Sequence, residues 1–199
     1  MLGRCMKSRP SWEKYHEKAK SLETAPLLVE AVQYVAPGLA LELGAGTPRD
    51  SEFLLGQGFQ VLAVDNTDSS KNLFTHLQEN PGFRFEQASF EQFTFAPAHY
   101  DLISAQLSLP FIKKREDFER VLLEIKVSLK PGGVFVAHFF GPKDTWSTEK
   151  KALTFVTKEE LEHLLEGLEM LKFEEREWDA DTLLGVPHHW HRFDVIVKN

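Results

Sequence analysis

Leu39-Ala40-Leu41-Glu42-Leu43-Gly44-Ala45-Gly46-Thr47-Pro48-Arg49-Asp50 is the stretch on which the fold turns. An apolar run ended by a glycine pair reads as a short buried strand and a tight turn. Thr47 fits an N-cap, Pro48 the first helical position and Asp50 the third, so the spacing predicts a capping box. The helix it opens should run from about Pro48 to Gly56. Two glycines between strand and helix let backbone amides approach a ligand with no Cβ in the way. Some way on, Gln60-Val61-Leu62-Ala63-Val64-Asp65 reads as a second buried strand ending in an acid. In a βαβ unit that acid lies beside the first turn, placed to accept hydrogen bonds from two ribose hydroxyls. The chain is expected to bind an adenosine-containing cofactor.

The rest of the chain continues the alternation. Two helices are expected before the first strand, one capped by Ser11 and carrying Trp12, Tyr15, His16 and Ala19 on one face, the other from about Pro26 to Val35. A helix from Ser70 to Glu79 should stop at Asn80-Pro81-Gly82. Strands follow at Phe83–Gln87 and Tyr100–Ala105, then a helix from Asp117 to Leu129 broken by Lys130-Pro131-Gly132-Gly133. A fifth strand is expected from Val134 to Phe139 and a helix from Thr157 to Gly167. Two β segments, near Met170–Trp178 and Arg192–Val197, close the chain with no helix between them. Strands alternating with helices imply a doubly wound, Rossmann-like α/β fold whose mostly parallel sheet has helices on both faces. The last two segments suggest an edge hairpin, giving seven strands with the last antiparallel. We expect one domain over residues 1–199, with N-terminal helices or a lid over 1–36 and the Rossmann-like core over 37–199.

Composition narrows the function. A formal net charge of −7 argues against broad nucleic-acid or anionic-membrane binding, both of which demand a basic surface. Lys113-Lys114-Arg115, the densest basic cluster, reads as a solvated helix start. Cys5 is the single cysteine, so no internal disulfide is possible and a reducing cytoplasm is expected. The first ten residues lack the apolar core of a signal peptide, and no apolar stretch has membrane-spanning length.

Glu42 bears on which cofactor is bound. A dinucleotide's pyrophosphate favours helix amides and positive charge, with no carboxylate close by. A sulfonium and an ammonium set against one carboxylate favour an acid near the turn. The dinucleotide fingerprint also calls for a third glycine, where this chain has Arg49. With Glu42 ahead of Gly44-Ala45-Gly46 and Asp65 closing the next strand, the segment resembles motifs I and II of the class I S-adenosylmethionine-dependent methyltransferases. Tyr100-Asp101-Leu102-Ile103 and Leu129-Lys130-Pro131-Gly132-Gly133 extend the resemblance. Ser108-Leu109-Pro110-Phe111, Phe139-Phe140-Gly141 and His189-Trp190-His191 look closer to a subgroup of small bacterial enzymes similar to the tellurite-resistance methyltransferases. Pro48 departs from the third small residue often found in motif I.

The resemblance implies S-adenosyl-L-methionine as cofactor and methyl transfer to a small-molecule nucleophile by in-line displacement. It places Gly44, Ala45 and Gly46 against the methionine portion, Asp65 on the ribose and Asn66 at the adenine or ribose edge. Ser89 and Phe90 would meet adenine, Gln106 would lie near the sulfur, and Arg49 would pair with the cofactor carboxylate. Trp12 and Tyr15 would form a lid. His189 and His191, sharing a strand face opposite Trp190, are candidates to accept a substrate proton near neutral pH. His138 reads as a core histidine, while Phe140 and Trp146 are candidates to line the acceptor pocket. No metal is expected, because neither cysteines nor paired carboxylates accompany the histidines. Two other readings compete: a catalytically silent S-adenosylmethionine-binding regulatory module, and an NAD(P)-dependent oxidoreductase, against which Glu42 and Arg49 both weigh.

Overall fold

A computed structural model describes residues 12–149 and 152–199. The Ser11 cap and Cys5 lie outside them. Helix α1 (Trp12–Ala19) and α2 (Pro26–Ala31) lead into strand β1 (Leu39–Leu43), followed by α3 (Arg49–Gly56), β2 (Gln60–Asp65), α4 (Asp68–Leu73), β3 (Phe83–Gln87) and β4 (Tyr100–Ala105). Then come α5 (Arg115–Ser128), β5 (Leu129–Phe140), α6 (Thr145–Glu149), α7 (Lys158–Leu164), β6 (Glu169–Asp179) and β7 (His189–Lys198). The seven strands form one sheet in the order β3-β2-β1-β4-β5-β7-β6. β1 to β5 are parallel, and β7 runs antiparallel between β5 and β6. The expected doubly wound sheet with an antiparallel last strand is therefore present.

The sheet is covered on both faces, which is why its central strands are continuous apolar runs. Leu41, Leu43, Ile103, Phe135, Phe139 and Val195 pack under α5 and α7 through Phe118, Leu122, Ile125 and Leu161. On the other face Ala40, Val61, Leu102, Val136 and Ile196 meet Leu28 of α2, Leu54 of α3 and Phe74 beyond α4. Each fully buried Leu or Phe contributes about 1.5–3 kcal/mol, so two such layers fix the strand order. Strand order reverses between the parallel neighbours β1 and β4, the place where open α/β sheets bind ligands at the strands' carboxyl ends.

Local chemistry moves several boundaries. The capping box expected at Thr47 does not form: α3 begins at Arg49, Pro48 holds the N-cap position and no side chain caps the helix. Asp50, the supposed third-position acid, instead accepts Arg49 Nε at 2.9 Å and the Ala25 amide at 3.2 Å. α4 starts at Asp68 because Thr67 caps it, accepting the Ser70 amide. The expected helices to Val35 and Glu79 each tighten into 3-10 turns, Val32–Tyr34 and Thr75–Leu77. α5 begins at Arg115, before the expected Asp117, and ends at Ser128. The break at Lys130-Pro131-Gly132-Gly133 is drawn into β5, whose register with β4 shifts between Tyr100 and Leu102. A genuine capping box appears at α7, where Thr157 and Glu160 satisfy each other's amides.

Gly133 is the tightest backbone approach in that shifted segment. A Cβ there would sit 2.9 Å from the Lys130 carbonyl and 3.0 Å from that of Tyr100, and neither backbone atom can rotate away. Gly133→Ala is expected to destabilise by about 1–3 kcal/mol, measured by urea denaturation. Gly56→Ala, at a helical position where a Cβ would meet nothing within 4 Å, should gain about 0.4–1 kcal/mol. Equal stabilities for the two variants would contradict the packing described.

Candidate active site

The turn after β1 is built by two glycines in the left-handed region, Gly44 at φ 72° and Gly46 at φ 58°, a conformation other residues adopt only with strain. Gly44 and Ala45 both donate to the Val64 carbonyl, at 2.8 and 3.1 Å. Space is as restrictive as torsion: a Cβ on Gly44 would overlap Ser108 and lie 3.2 Å from Phe90. Ser108 is fixed there by its hydroxyl, which donates to the Leu43 carbonyl at 2.7 Å.

Asp65 ends β2 beside this turn, its carboxylate buried. One oxygen accepts the Gly46 amide at 3.0 Å. The other accepts the Thr67 amide at 2.9 Å and the Thr67 hydroxyl at 2.7 Å. Ala88, just after β3, donates to the Asp65 carbonyl at 3.2 Å, which brings the Ser89-Phe90 turn alongside. Gly44, Ala45, Gly46, Asp65, Ser89 and Phe90 thus meet at one crevice, while Asn66 is exposed at its rim.

Helix α1 lies across that crevice. His16 is buried, with Nδ1 3.0 Å from the Ser69 hydroxyl, and its ring faces Gly46. Burial lowers its pKa, while the nearby Asp65 charge pulls the other way. Burial raises the pKa of Tyr15, which feels the charges of Arg49 and Asp50. Trp12 packs edge-on against Phe111, ring centroids 5.0 Å apart. The sequence pointed to Trp12 and Tyr15 but gave His16 no role; its spacing on the Trp12 face was the available signal.

Glu42 and Arg49 sit lower. Glu42 is buried and accepts the Ser51 hydroxyl of α3. Burial, reinforced by the Asp50 charge, holds its carboxyl well above the ordinary carboxylate range against the pull of the Ser51 hydrogen bond and Arg49. The guanidinium of Arg49 is engaged by Asp50 at 2.9 and 3.2 Å.

At the end of β4, Gln106 donates to the Ser104 hydroxyl at 3.0 Å, and its own carbonyl oxygen is buried without a partner. Beyond it an aromatic wall continues from Phe111 to Phe140 and Trp146, then to Trp190 and His188. His188, to which the sequence assigned no role, is wholly buried with Nε2 3.0 Å from Asp144. Asp144 also accepts the Trp146 and His191 amides at 2.9 and 3.3 Å, so one carboxylate ties α6 to β7.

His189 and His191 share a strand face as expected, but the structure does not bring them to the crevice. His191 accepts the Lys143 amide at Nδ1, 3.1 Å, so its hydrogen sits on Nε2 and donates to Glu175 at 2.9 Å. Both ring nitrogens are used. His189 Nδ1 is 2.8 Å from Asp179 at a half-exposed edge. Glu175, Glu177 and His191 are the group of ligand-type side chains that converges among the described residues. A hydrogen on His191 Nε2 leaves no lone pair there for a cation.

Glu42 gives the pH dependence a sign. Its folded pKa is raised, so its contribution is complete below about pH 4.5 and is lost as pH rises through the folded value. Glu42→Gln is therefore expected to melt above wild type at pH 8, with the gap closing toward pH 4.5. A variant that melts lower at pH 8 would contradict a carboxyl held up by burial.

Residues 41–137 match the model of a methyltransferase domain. Among solved structures the chain is similar to a SAM-dependent methyltransferase from Methanosarcina mazei, at 20% identity and a TM-score of 0.66 over 89% of this chain and 99% of that one. It is similar to TehB from Haemophilus influenzae, at 16% and 0.74 over 95% and 67%. A third likeness is to 1,6-didemethyltoxoflavin-N1-methyltransferase from Burkholderia thailandensis, whose structure holds 1,6-didemethyltoxoflavin and S-adenosylhomocysteine, at 19% and 0.61 over 85% and 76%. No curated protein sequence matches the chain. Residues 41–137 carry a methyltransferase domain, and its glycine turn and second-strand acid converge on one crevice, as expected of an S-adenosylmethionine-dependent methyltransferase.

Proposed function

We propose that the enzyme methylates a small-molecule nucleophile, and that residues 1–199 work as one catalytic domain in the cytoplasm. The observation that carries the small-molecule reading is α1 lying over the crevice, with His16 against the glycine turn and Trp12 against Phe111. A roofed site beside an aromatic wall suits a compact acceptor better than a polymer, and the net charge of −7 offers nothing to a phosphate backbone. The toxoflavin enzyme, whose structure holds 1,6-didemethyltoxoflavin beside S-adenosylhomocysteine, supports this reading. The likeness to TehB supports placing the chain near the tellurite-resistance subgroup.

The residues fit S-adenosylmethionine. Gly44 leaves a cradle that a Cβ would fill, Asp65 brings two carboxylate oxygens to the turn, and the partnerless Gln106 carbonyl oxygen is an acceptor suited to a cationic centre. When bound, the cofactor supplies an electrophilic methyl group on a sulfonium that is already a good leaving group. Asp65 would hold the ribose and Asn66 its outer edge. Ser89 and Phe90 would border adenine, and Gly44 to Gly46 the methionine chain. Arg49 is tied to Asp50 and reaches a carboxylate only by exchanging that partner. The protein's work is placement and exclusion of water, where orientation alone can supply roughly 7–11 kcal/mol. No proton relay is required of His189 or His191, whose hydrogen bonds lock a strand edge.

Calorimetric titration with S-adenosylhomocysteine tests the cofactor roles. Asp65→Asn keeps the side chain's size and removes its charge, so affinity should fall on the order of tenfold to a hundredfold, the worth of about 1.5–3 kcal/mol for a hydrogen bond to a charged group. Asp65→Ala should bind as poorly and also melt lower, because it frees the Gly46 and Thr67 amides. Unchanged affinity in both would remove Asp65 from the site. For the acceptor, incubation of a size-fractionated cell extract with methyl-labelled cofactor should place label in the low-mass fraction. Label recovered on protein or nucleic acid would overturn the small-molecule reading.

A further inference from the structure

Among the described residues three buried side-chain polar atoms have no partner: the Ser70 hydroxyl, Gln106 Oε1 and His138 Nδ1. The last two are neighbours in the sheet. Ala105, the last residue of β4, pairs with Ala137 of β5; Gln106 follows it in the bend that ends the strand, and His138 is the next residue of β5. Both alternate onto the face that carries Ser104 and Val136, and the Gln106 bond to Ser104 confirms that direction for Gln106. They stand toward the carboxyl ends of β4 and β5.

Both atoms are hydrogen-bond acceptors. Gln106 spends its amide hydrogen on Ser104, which leaves Oε1 as a bare carbonyl. His138 is 95% buried by its 5% exposure, and Nε2 faces the Asp194 carboxylate at 3.6 Å, so the ring hydrogen belongs on Nε2 and Nδ1 keeps its lone pair. Burial, with Arg192 and Arg176 nearby, lowers the ring's pKa to about 3 despite Asp194, so it stays neutral. Asp194 is itself held by Arg192 at 2.5 and 2.9 Å and by Arg176 at 3.4 Å. Nothing among the described residues donates to the two acceptors, and buried acceptors left unmatched are costly and rare. Phe140, two residues beyond His138 on the same face, begins the aromatic wall with Trp146 and Trp190.

We propose that Gln106 Oε1 and His138 Nδ1 together form the recognition site for the methyl acceptor, which is a planar aromatic or heteroaromatic ring carrying its own N–H or O–H. The ring lies against the half-buried Phe111, Trp146 and Trp190, which flank the buried Phe140, and its hydrogens satisfy the two acceptors. A planar partner follows from rings that offer faces and edges within 5.6–6.1 Å of one another, a spacing typical of aromatic pairs. The hydrogen follows from two acceptors with no donor. A site built to bond such a hydrogen rejects an analogue that lacks it far more strongly than an apolar pocket could. His138 is here a binding residue, and no proton transfer is asked of it. The inference rests on the methyltransferase reading above and adds the chemistry of the acceptor.

The test is calorimetry on the full chain saturated with S-adenosylhomocysteine, titrated with 5-hydroxyindole and with 5-methoxy-1-methylindole, which keeps the ring and blocks both hydrogens. The donor-bearing ring should bind at least tenfold more tightly. Gln106→Leu and, separately, His138→Phe should bring the two ligands within about threefold, a ratio read on protein held saturated with S-adenosylhomocysteine so that a change in its affinity does not enter. Gln106→Leu, which removes no core ring, decides the matter if His138→Phe fails to fold. Equal binding of the two indoles to wild type, no binding of 5-hydroxyindole to protein that binds S-adenosylhomocysteine, or an unchanged preference in Gln106→Leu would overturn the proposal. Absence of S-adenosylhomocysteine binding in the first titration would instead sink the cofactor reading and this one with it.

Discussion

A single buried carboxylate organises the crevice. Asp65 accepts the Gly46 amide with one oxygen and both the Thr67 amide and hydroxyl with the other. It therefore ties the turn after β1 to the cap of α4, since Thr67 in the same position also caps that helix. The Ala88 amide on the Asp65 carbonyl adds the turn after β3. Three loops that carry no regular structure are held in register by one residue. A carboxylate that already bonds backbone amides is preorganised, and it can take one hydroxyl with its remaining lone pair and a second in exchange for the Thr67 hydroxyl.

The same economy appears on the acceptor side, where Asp144 binds His188 and two amides and so fixes the short α6 against β7. Its effect is mechanical: Trp146, carried by α6, is pressed toward Trp190 and His188. Edge-to-face contacts of this kind contribute about 0.5–1.5 kcal/mol each beyond burial. The aromatic wall is thus supported from behind by the buried His188–Asp144 hydrogen bond. The edge histidines His189 and His191 strengthen the β6–β7 ribbon through cross-strand carboxylates.

Where the sequence was legible, a periodic or steric signal was strong. The alternation of buried runs with amphipathic helices gave the sheet, and Gly44-Ala45-Gly46 with Asp65 gave the crevice, because both rest on local rules of backbone and burial. The supposed capping box at Thr47 misled because Arg49 and Ala25 compete for Asp50, a tertiary contact that no local pattern contains. The partners of His16, Ser108 and His188 could not be read from the sequence for the same reason. Each acts through a residue far along the chain: Ser69, Leu43 and Asp144 respectively. The sequence singled out His189 and His191 and gave the neighbouring His188 no role, since strand alternation tells which residues share a face but not which face is enclosed.

The most direct measurement of the central claim is a crystal structure of the chain with S-adenosylhomocysteine. The account predicts both ribose hydroxyls on the Asp65 carboxylate, the amino-acid end against Gly44 to Gly46, and His16 closing over them. A nucleoside bound elsewhere, or an Asp65 that keeps only its backbone partners while the ligand sits at another crevice, would contradict it.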